Sequence, residues 1–456
     1  MQQRTALRFV ASAAGTVVLL SGAGLTVQAS AETASRPAAT STVLDTRAVT
    51  AWIERNAHRL GTVDPGAPLG DLEPLRRSVG NASIVGLGEP QHGLREVTAL
   101  KHRTLRYLVE RMGFRSIAWE DDWTLGLEID RYIRTGEGDI DALLRRTSGA
   151  WANRDTADAL DWLRDFNKGR KKSDQVRFVG VEYYTTWLPA YDIVDSHVAK
   201  AAPSLVPELR RHMKWLRPTK PDAWAHAGWY MHEVKDKKPY VEHARDLYEM
   251  VERLPHRPGD RAYSLAVHAA KQIRSFYLNY YIPRETSYAF RDARAAENLR
   301  WWRGYHHGKV VYWAATPHTA VAPGMRLVSP EQGEMAFASV GSYLRRWFGD
   351  GYRSIGFTFD HGTIAGESGT VEMPPPRQGW VERPFGQATR FDQLLMDLRV
   401  DAPAPVRQWL RSPITTRGIA TETPDLPYDS YATGGTVRQW FDVVVHRQAV
   451  TPARPL

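Results

Sequence analysis

The segment that decides the fold runs from Ala82 to Trp123, ASIVGLGEPQHGLREVTALKHRTLRYLVERMGFRSIAWEDDW. SIVGLG, from Ser83 to Gly88, is a short apolar run bounded by glycine, and RSIAWE, from Arg115 to Glu120, is a second. Between them LREVTALKHRTLRYLVERM carries apolar residues at helical spacing and stops at Gly113. Strand, helix and strand at this spacing predict a parallel βαβ unit, because buried parallel strands read as nearly continuous apolar segments. TLGLEIDRYIRTG, from Thr124, continues the alternation with another helix.

Further along the chain the pattern recurs. VRFVGVEYY (Val176 to Tyr184) follows the helical TADALDWLRDFNKG, and KVVYWAATPH (Lys309 to His318) follows the helical FRDARAAENLRWWRGYH. The stretch between them, about 189–298, is mostly helical and is broken by the loops RPTKPDAW and VKDKKPY. It reads as a helical insertion into an α/β core, with a separate helical domain as the alternative. From Gly351, GYRSIGFTFDHGTIAG and then WFDVVVHRQAV supply more strand. DTRAVTAWIERNAHRL reads as an amphipathic helix capped by Asp45, so the fold is expected to start near Val43. The expected class is α/β, a mostly parallel central sheet flanked by helices with a large helical insertion.

Composition narrows the setting. With 456 residues, 43% hydrophobic and 24% charged, the chain is globular in character, and it contains no cysteine. Disulfides, thiol nucleophiles and thiolate metal sites are therefore excluded together. Residues 1–31 read as a secretory signal: Arg4 and Arg8 precede the apolar FVASAAGTVVLLSGAGLTV, and Ala29-Ser30-Ala31 fits the small-residue cleavage pattern, giving a mature start at Glu32. An uncleaved anchor is the rival. Residues 32–42 resemble a flexible linker, and beyond the signal no run of about 18 apolar residues follows. The formal charge of +9 falls to +7 without Arg4 and Arg8. Basic residues are interleaved with acids, and the densest run, KGRKKSD at Lys168 to Asp174, reads as a solvated loop and not as a nucleic-acid patch.

In open parallel sheets ligands bind outside the carboxyl ends of the strands. SIVGLG is followed by Glu89 and His92, RSIAW by Glu120, Asp121 and Asp122, VRFVGV by Glu182, and KVVYWAATP by His318. Singly, each has an ordinary explanation: a cap acceptor for Glu89, a capped loop residue for His92, a partner for a buried arginine for Glu182. Their convergence at four strand ends argues for chemistry. G-x-S-x-G, H-E-x-x-H and the P-loop are all absent, and the spacing of Gly86, Gly88 and Gly93 is wrong for a dinucleotide loop. What remains is histidine with carboxylates, a set suited to activating water through an imidazole base.

GLGEPQHGLREV with LVERMGFRSIAWED resembles the erythromycin esterase family, in which a strand leads into G-E-x-x-H-G, a helix, and a strand ending in Glu. VRFVGVE, the R-D-x-x-x-A-x-N element in FRDARAAENLRWW, VVYWAATPHTAV and the ending FDVVVHRQAVTPARPL extend the resemblance over most of the chain from Val43. It implies hydrolysis of a macrolactone ester without a required metal or other cofactor. It also implies His92 as general base, Glu89 and Glu120 holding its orientation and charge, and Arg291 with His318 positioning substrate or stabilising the oxyanion. Lys101, Glu182, Asn298 and Trp123 are expected at the substrate, with Asn298 behind Arg291. Two departures stand out: Ala315 replaces the first histidine of the family's A-H-N-x-H, and Lys101 replaces an arginine, keeping charge but losing the fork.

Trp119, Trp123, Trp151, Trp187, Trp301, Trp302 and Trp313 flank the strand ends and read as core or pocket wall. The expected protein is a secreted hydrolase, free or held at the cell surface, cleaving a small ester or lactone, with no nucleic-acid partner and no membrane contact after signal removal. A metal-dependent hydrolase using Glu89, His92, Glu120 and His318 as ligands, and a binding protein without catalysis, are the alternatives.

Overall fold

A computed structural model of the chain describes residues 46–330, 333–366, 369–418 and 428–456. The expected signal at 1–31, the linker at 32–42 and the cap Asp45 lie outside the described residues. The first described helix, Thr46–Asn56, is shorter than its apolar pattern, because His58–Arg59 turns away to pair with a sheet edge.

Among the described residues the central sheet has nine strands, seven of which form its body: β1 (Ile84–Glu89), β2 (Phe114–Asp122), β3 (Arg177–Glu182), β4 (Lys309–Ala315), β5 (Tyr352–Gly366), β6 (Gln393–Asp397) and β7 (Val443–Val450). Their spatial order is β6-β7-β5-β1-β4-β2-β3, and every neighbouring pair is parallel except β6 with β7. His58–Arg59 pairs with β6 beyond its free edge, and Gly369–Met373 folds back on the end of β5. The register sets Glu89 beside Ala315 and Trp119 beside both Trp313 and Gly180, which brings the ends of β1, β4, β2 and β3 level.

Both faces of the sheet are covered, and the alternation of side chains shows it. Val85, Leu87, Val311 and Trp313 enter one apolar cluster, with helices α1 (Arg95–Met112), α2 (Trp123–Thr135) and α3 (Arg154–Asn167). Ile84, Val310, Tyr312 and Ala314 enter the other. Each such side chain contributes about 1.5–3 kcal/mol by leaving water. Helix α1 stops at Gly113, whose φ of 73° suits a residue without Cβ. Helix α2 starts at Asp122, whose carboxylate accepts the Thr124 and Leu125 amides.

Between β3 and β4 run six helices, Leu188–Ala201, Val206–Leu216, Ala223–His232, Lys238–Glu252, Arg261–Asn279 and α4 (Arg284–His306). Their apolar residues share one cluster with Val179, Val181 and Tyr312 of the sheet, so this section covers one of its faces. A second, antiparallel sheet of Pro413–Arg417, Tyr431–Thr436, Met325–Ser329 and Gly333–Phe337 was not expected from the sequence. Among the described residues no helix is long and apolar enough to cross a membrane.

Candidate active site

The strand ends hold two linked polar groups. In the first, Glu89 closes β1 and its carboxylate is shared: Oε1 lies 2.6 Å from His92 Nδ1, and Oε2 accepts from Lys101 Nζ at 2.5 Å. A carboxylate only accepts, so Nδ1 carries the hydrogen, and in the neutral ring Nε2 is the basic nitrogen. His92 sits on the loop before Gly93, whose φ is 69°, and packs edge-on against Trp151 at 4.8 Å between ring centroids. Its side chain is 19% exposed, in contrast to the 3% of Glu89.

Lys101 comes from the inner face of α1 and is fully buried. Its ammonium lies 4.4 Å from the Trp313 ring centroid and 6.0 Å from that of Trp151. Burial pulls its pKa down to about 8, although Glu89 opposes that shift.

The second group centres on Glu120 at the end of β2. Its Oε1 accepts from Arg291 Nη2 at 2.7 Å and faces His318 Nε2 at 3.1 Å, while Oε2 accepts the Ala315 amide at 2.7 Å. Burial alone would raise the Glu120 pKa, but His318 and Arg291 hold it well below the usual range. His318 lies on the single turn α5 (Thr316–Thr319) after β4, and its Nδ1 meets Asp292 of α4 at 2.9 Å. Burial disfavours the imidazolium, yet Asp292 and Glu120 on its two nitrogens push it up to about 10, so His318 is a fixed cation near neutral pH.

Arg291 also donates to the Tyr184 hydroxyl and brings Nε within 3.3 Å of Glu182 Oε1. Glu182 is fully buried, neither of its oxygens has a hydrogen-bond donor, and burial raises its carboxyl to about 7. The ordinary reading of Glu182, a partner for a buried arginine, is the one the structure shows. Asp121, also raised by burial to about 7, accepts the Ser148 amide at 3.1 Å and its hydroxyl at 3.0 Å, anchoring the loop that leads to Trp151.

His92, Glu89, Glu120, His318 and Arg291 are thus brought together. The four residues expected at the substrate are not exposed to one. Lys101 is spent on Glu89. Glu182 backs Arg291. The Asn298 amide donates to the Val181 carbonyl at 2.8 Å and pairs with Gln272, which fastens α4 to β3 without reaching Arg291. Trp123, 1% exposed, packs against His268, because capping by Asp122 turns the first residue of α2 into the core. Only His92 and Arg291, at 19% and 15%, present side chains outward from this set.

Asp292 was not foreseen, although its place beside Arg291 in R-D-x-x-x-A-x-N was a signal. Tyr184 and Trp151 were also not assigned. Among the described residues no three histidine, aspartate or glutamate side chains are arranged to hold a metal ion. A groove of about 460 Å³ in the helical section, floored by Leu209 and Met213 and edged by Arg210 and Lys214, involves none of these residues.

A mostly parallel sheet covered on both faces, with imidazoles and carboxylates gathered at its strand ends, is an α/β architecture whose site can move protons. The chain belongs to the erythromycin esterase family, whose model matches residues 109–450. It is 23% identical to erythromycin esterase type II of Escherichia coli over 316 residues, 65% of this chain and 73% of that one. A Bacillus cereus protein of solved structure is 27% identical and superposes with a TM-score of 0.76, covering 90% of this chain and 99% of the other. The erythromycin esterase EreC, in an open conformation, shares the fold at a TM-score of 0.66 with 16% identity, covering 87% of this chain and 98% of that one.

Proposed function

We propose that this protein is a carboxylic-ester hydrolase that cleaves a lactone or ester with His92 as the base that activates water. The observation that carries the reading is the Glu89–His92 pair: one nitrogen is committed to a buried carboxylate, and the ring itself is 19% exposed. His92 Nε2 takes a proton from water as the oxygen attacks the carbonyl carbon. The carbonyl π pair moves to oxygen, next to the Arg291 guanidinium. Collapse of that adduct breaks the C–O bond, and the departing alkoxide takes the proton from His92, leaving acid and alcohol.

His318, Asp292 and Glu120 touch no reacting atom in this scheme. They form a charged lattice that fixes Arg291, with the main-chain amide of Ala315 occupying one oxygen of Glu120. The methyl group at Ala315 offers no second base, so turnover depends on His92 alone. Incubating the protein with an ester and lactone library, macrolides included, should give by mass spectrometry a ring-opened product one water heavier from a lactone, or an acid and an alcohol whose masses sum to ester plus water. A ligand that binds and is never hydrolysed would favour a binding protein. The reading also places the enzyme outside the cytoplasm, free or on the cell surface, from the signal pattern alone. Sequencing the exported protein should give Glu32 as its first residue, whereas an intact amino terminus would make residues 1–31 an anchor.

A further inference from the structure

The residues after β7 tie together two loops from distant parts of the chain. Against the first loop, Pro452 bridges Leu94, the Ala453 amide donates to the Gly93 carbonyl at 2.7 Å, and the Arg95 amide donates to the Thr451 carbonyl at 2.9 Å. Gly93, Leu94 and Arg95 directly follow His92. Glu96, one residue further, accepts the Thr451 amide at 2.7 Å and its hydroxyl at 2.8 Å.

Against the second loop, Pro455 bridges Asn153, and the Arg154 amide donates to the Arg454 carbonyl at 2.8 Å. The Arg454 guanidinium reaches Asp155 at 2.7 Å and Asp158 at 2.6 Å. Asn153 lies two residues beyond Trp151, the ring against which His92 packs and whose indole donates to the Glu120 carbonyl at 3.2 Å.

The geometry points to Thr451–Leu456 as a strap that positions the His92 imidazole, by holding its loop and the Trp151 loop in register with each other. Glu89 fixes one nitrogen of the ring, but a single hydrogen bond leaves the ring plane free to swing, and Trp151 is what stops it. An extended, proline-rich segment suits the task, since it has no internal hydrogen bonds and gives its amides and carbonyls to its neighbours. The inference rests on His92 being the base. It assigns the strap to placement of that base; the Arg454 pairs are partly exposed at 45% and, as surface pairs, contribute at most about 1 kcal/mol to folding.

Two substitutions test it. Ala453→Pro removes the amide that holds Gly93 and alters no side chain of the site. Arg454→Ala removes the guanidinium from Asp155 and Asp158 and leaves only the main-chain amide bond to Asp155 at 2.8 Å, with Arg454→Lys as its conservative control. Labelling of His92 by diethyl pyrocarbonate, resolved by peptide mass spectrometry, is compared with labelling of His58, which is exposed on the edge strand beyond β6. The expected result is a change of at least about threefold in the His92 to His58 ratio, with kcat down about tenfold and KM within about twofold, and partial return in Arg454→Lys. An unchanged ratio and unchanged kcat in folded Ala453→Pro and Arg454→Ala proteins would overturn the strap. If Ala453→Pro does not fold, Arg454→Ala carries the test. Should the wild-type protein hydrolyse nothing, the hydrolase reading fails, while the labelling ratio still decides the strap.

Discussion

At the scale of single residues, the site is governed by how buried charges are paired. Lys101 shows this most simply: a lone ammonium among tryptophans is costly, and Glu89 makes it tolerable while pinning His92 on its other oxygen. With its pKa lowered to about 8, Lys101 loses its proton in mildly alkaline solution, and Glu89 then loses its counterion. Activity is expected to fall above about pH 8, and Lys101→Arg, which stays charged, should move that limb upward by at least about one pH unit. An identical pH profile in the variant would contradict the assignment.

His318 has the opposite sign. Its folded pKa of about 10 exceeds the 6.5 of a free imidazole, so its contribution to stability is complete below about pH 6.5 and is lost as pH rises towards 10. Lys101 works the other way between about 8 and 10.5, because the folded protein releases that proton first. His318→Gln should therefore cost markedly more stability near pH 6 than near pH 10, read from denaturant unfolding at both pH values. A loss of equal size at both would show that the cationic pairing with Asp292 and Glu120 is unimportant.

At the scale of elements, close approach of α2 to β3 sets the layout of the acidic ends. A Cβ on Gly126 would lie inside contact distance of the Gly180 amide, and one on Gly180 would strike the Asp121 and Asp122 carbonyls. Alanine normally favours a helix over glycine by about 1 kcal/mol. Here the backbone overlap outweighs it, and Gly126→Ala is expected to lose about 1–3 kcal/mol and shift the chemical denaturation midpoint down. A midpoint that rises would mean the helix can move away.

The elements also show what the sequence makes legible. Buried parallel strands are apolar throughout, so SIVGLG, RSIAWE, VRFVGVE and KVVYWAA declared themselves, and their last residues pointed to Glu89, Glu120, Glu182 and the turn bearing His318. Asp292 did not, because α4 carries charge on several faces and only the fold shows which charge turns inward. The burial of Lys101, Glu182, Asn298 and Trp123 was equally hidden, since spacing locates a residue near a strand end without saying whether it stands in front of the site or behind it. The second sheet, built from two pairs of short strands that lie far apart in sequence, left no periodic trace.

At the scale of the molecule, the sheet gathers residues from separate parts of the chain into one charged lattice and leaves two side chains, His92 and Arg291, facing outward. The helical section covers the sheet face opposite α1, and the segment after β7 returns to the loops beside His92. Membership of the erythromycin esterase family fits this division. The central claim is that one imidazole activates water. It is tested most directly by kcat/KM of His92→Asn against the wild type, on any ester the protein cleaves, from about pH 5 to pH 9. The account predicts a fall of at least about a hundredfold across that range. Turnover and a pH profile unchanged in a folded His92→Asn protein would contradict it.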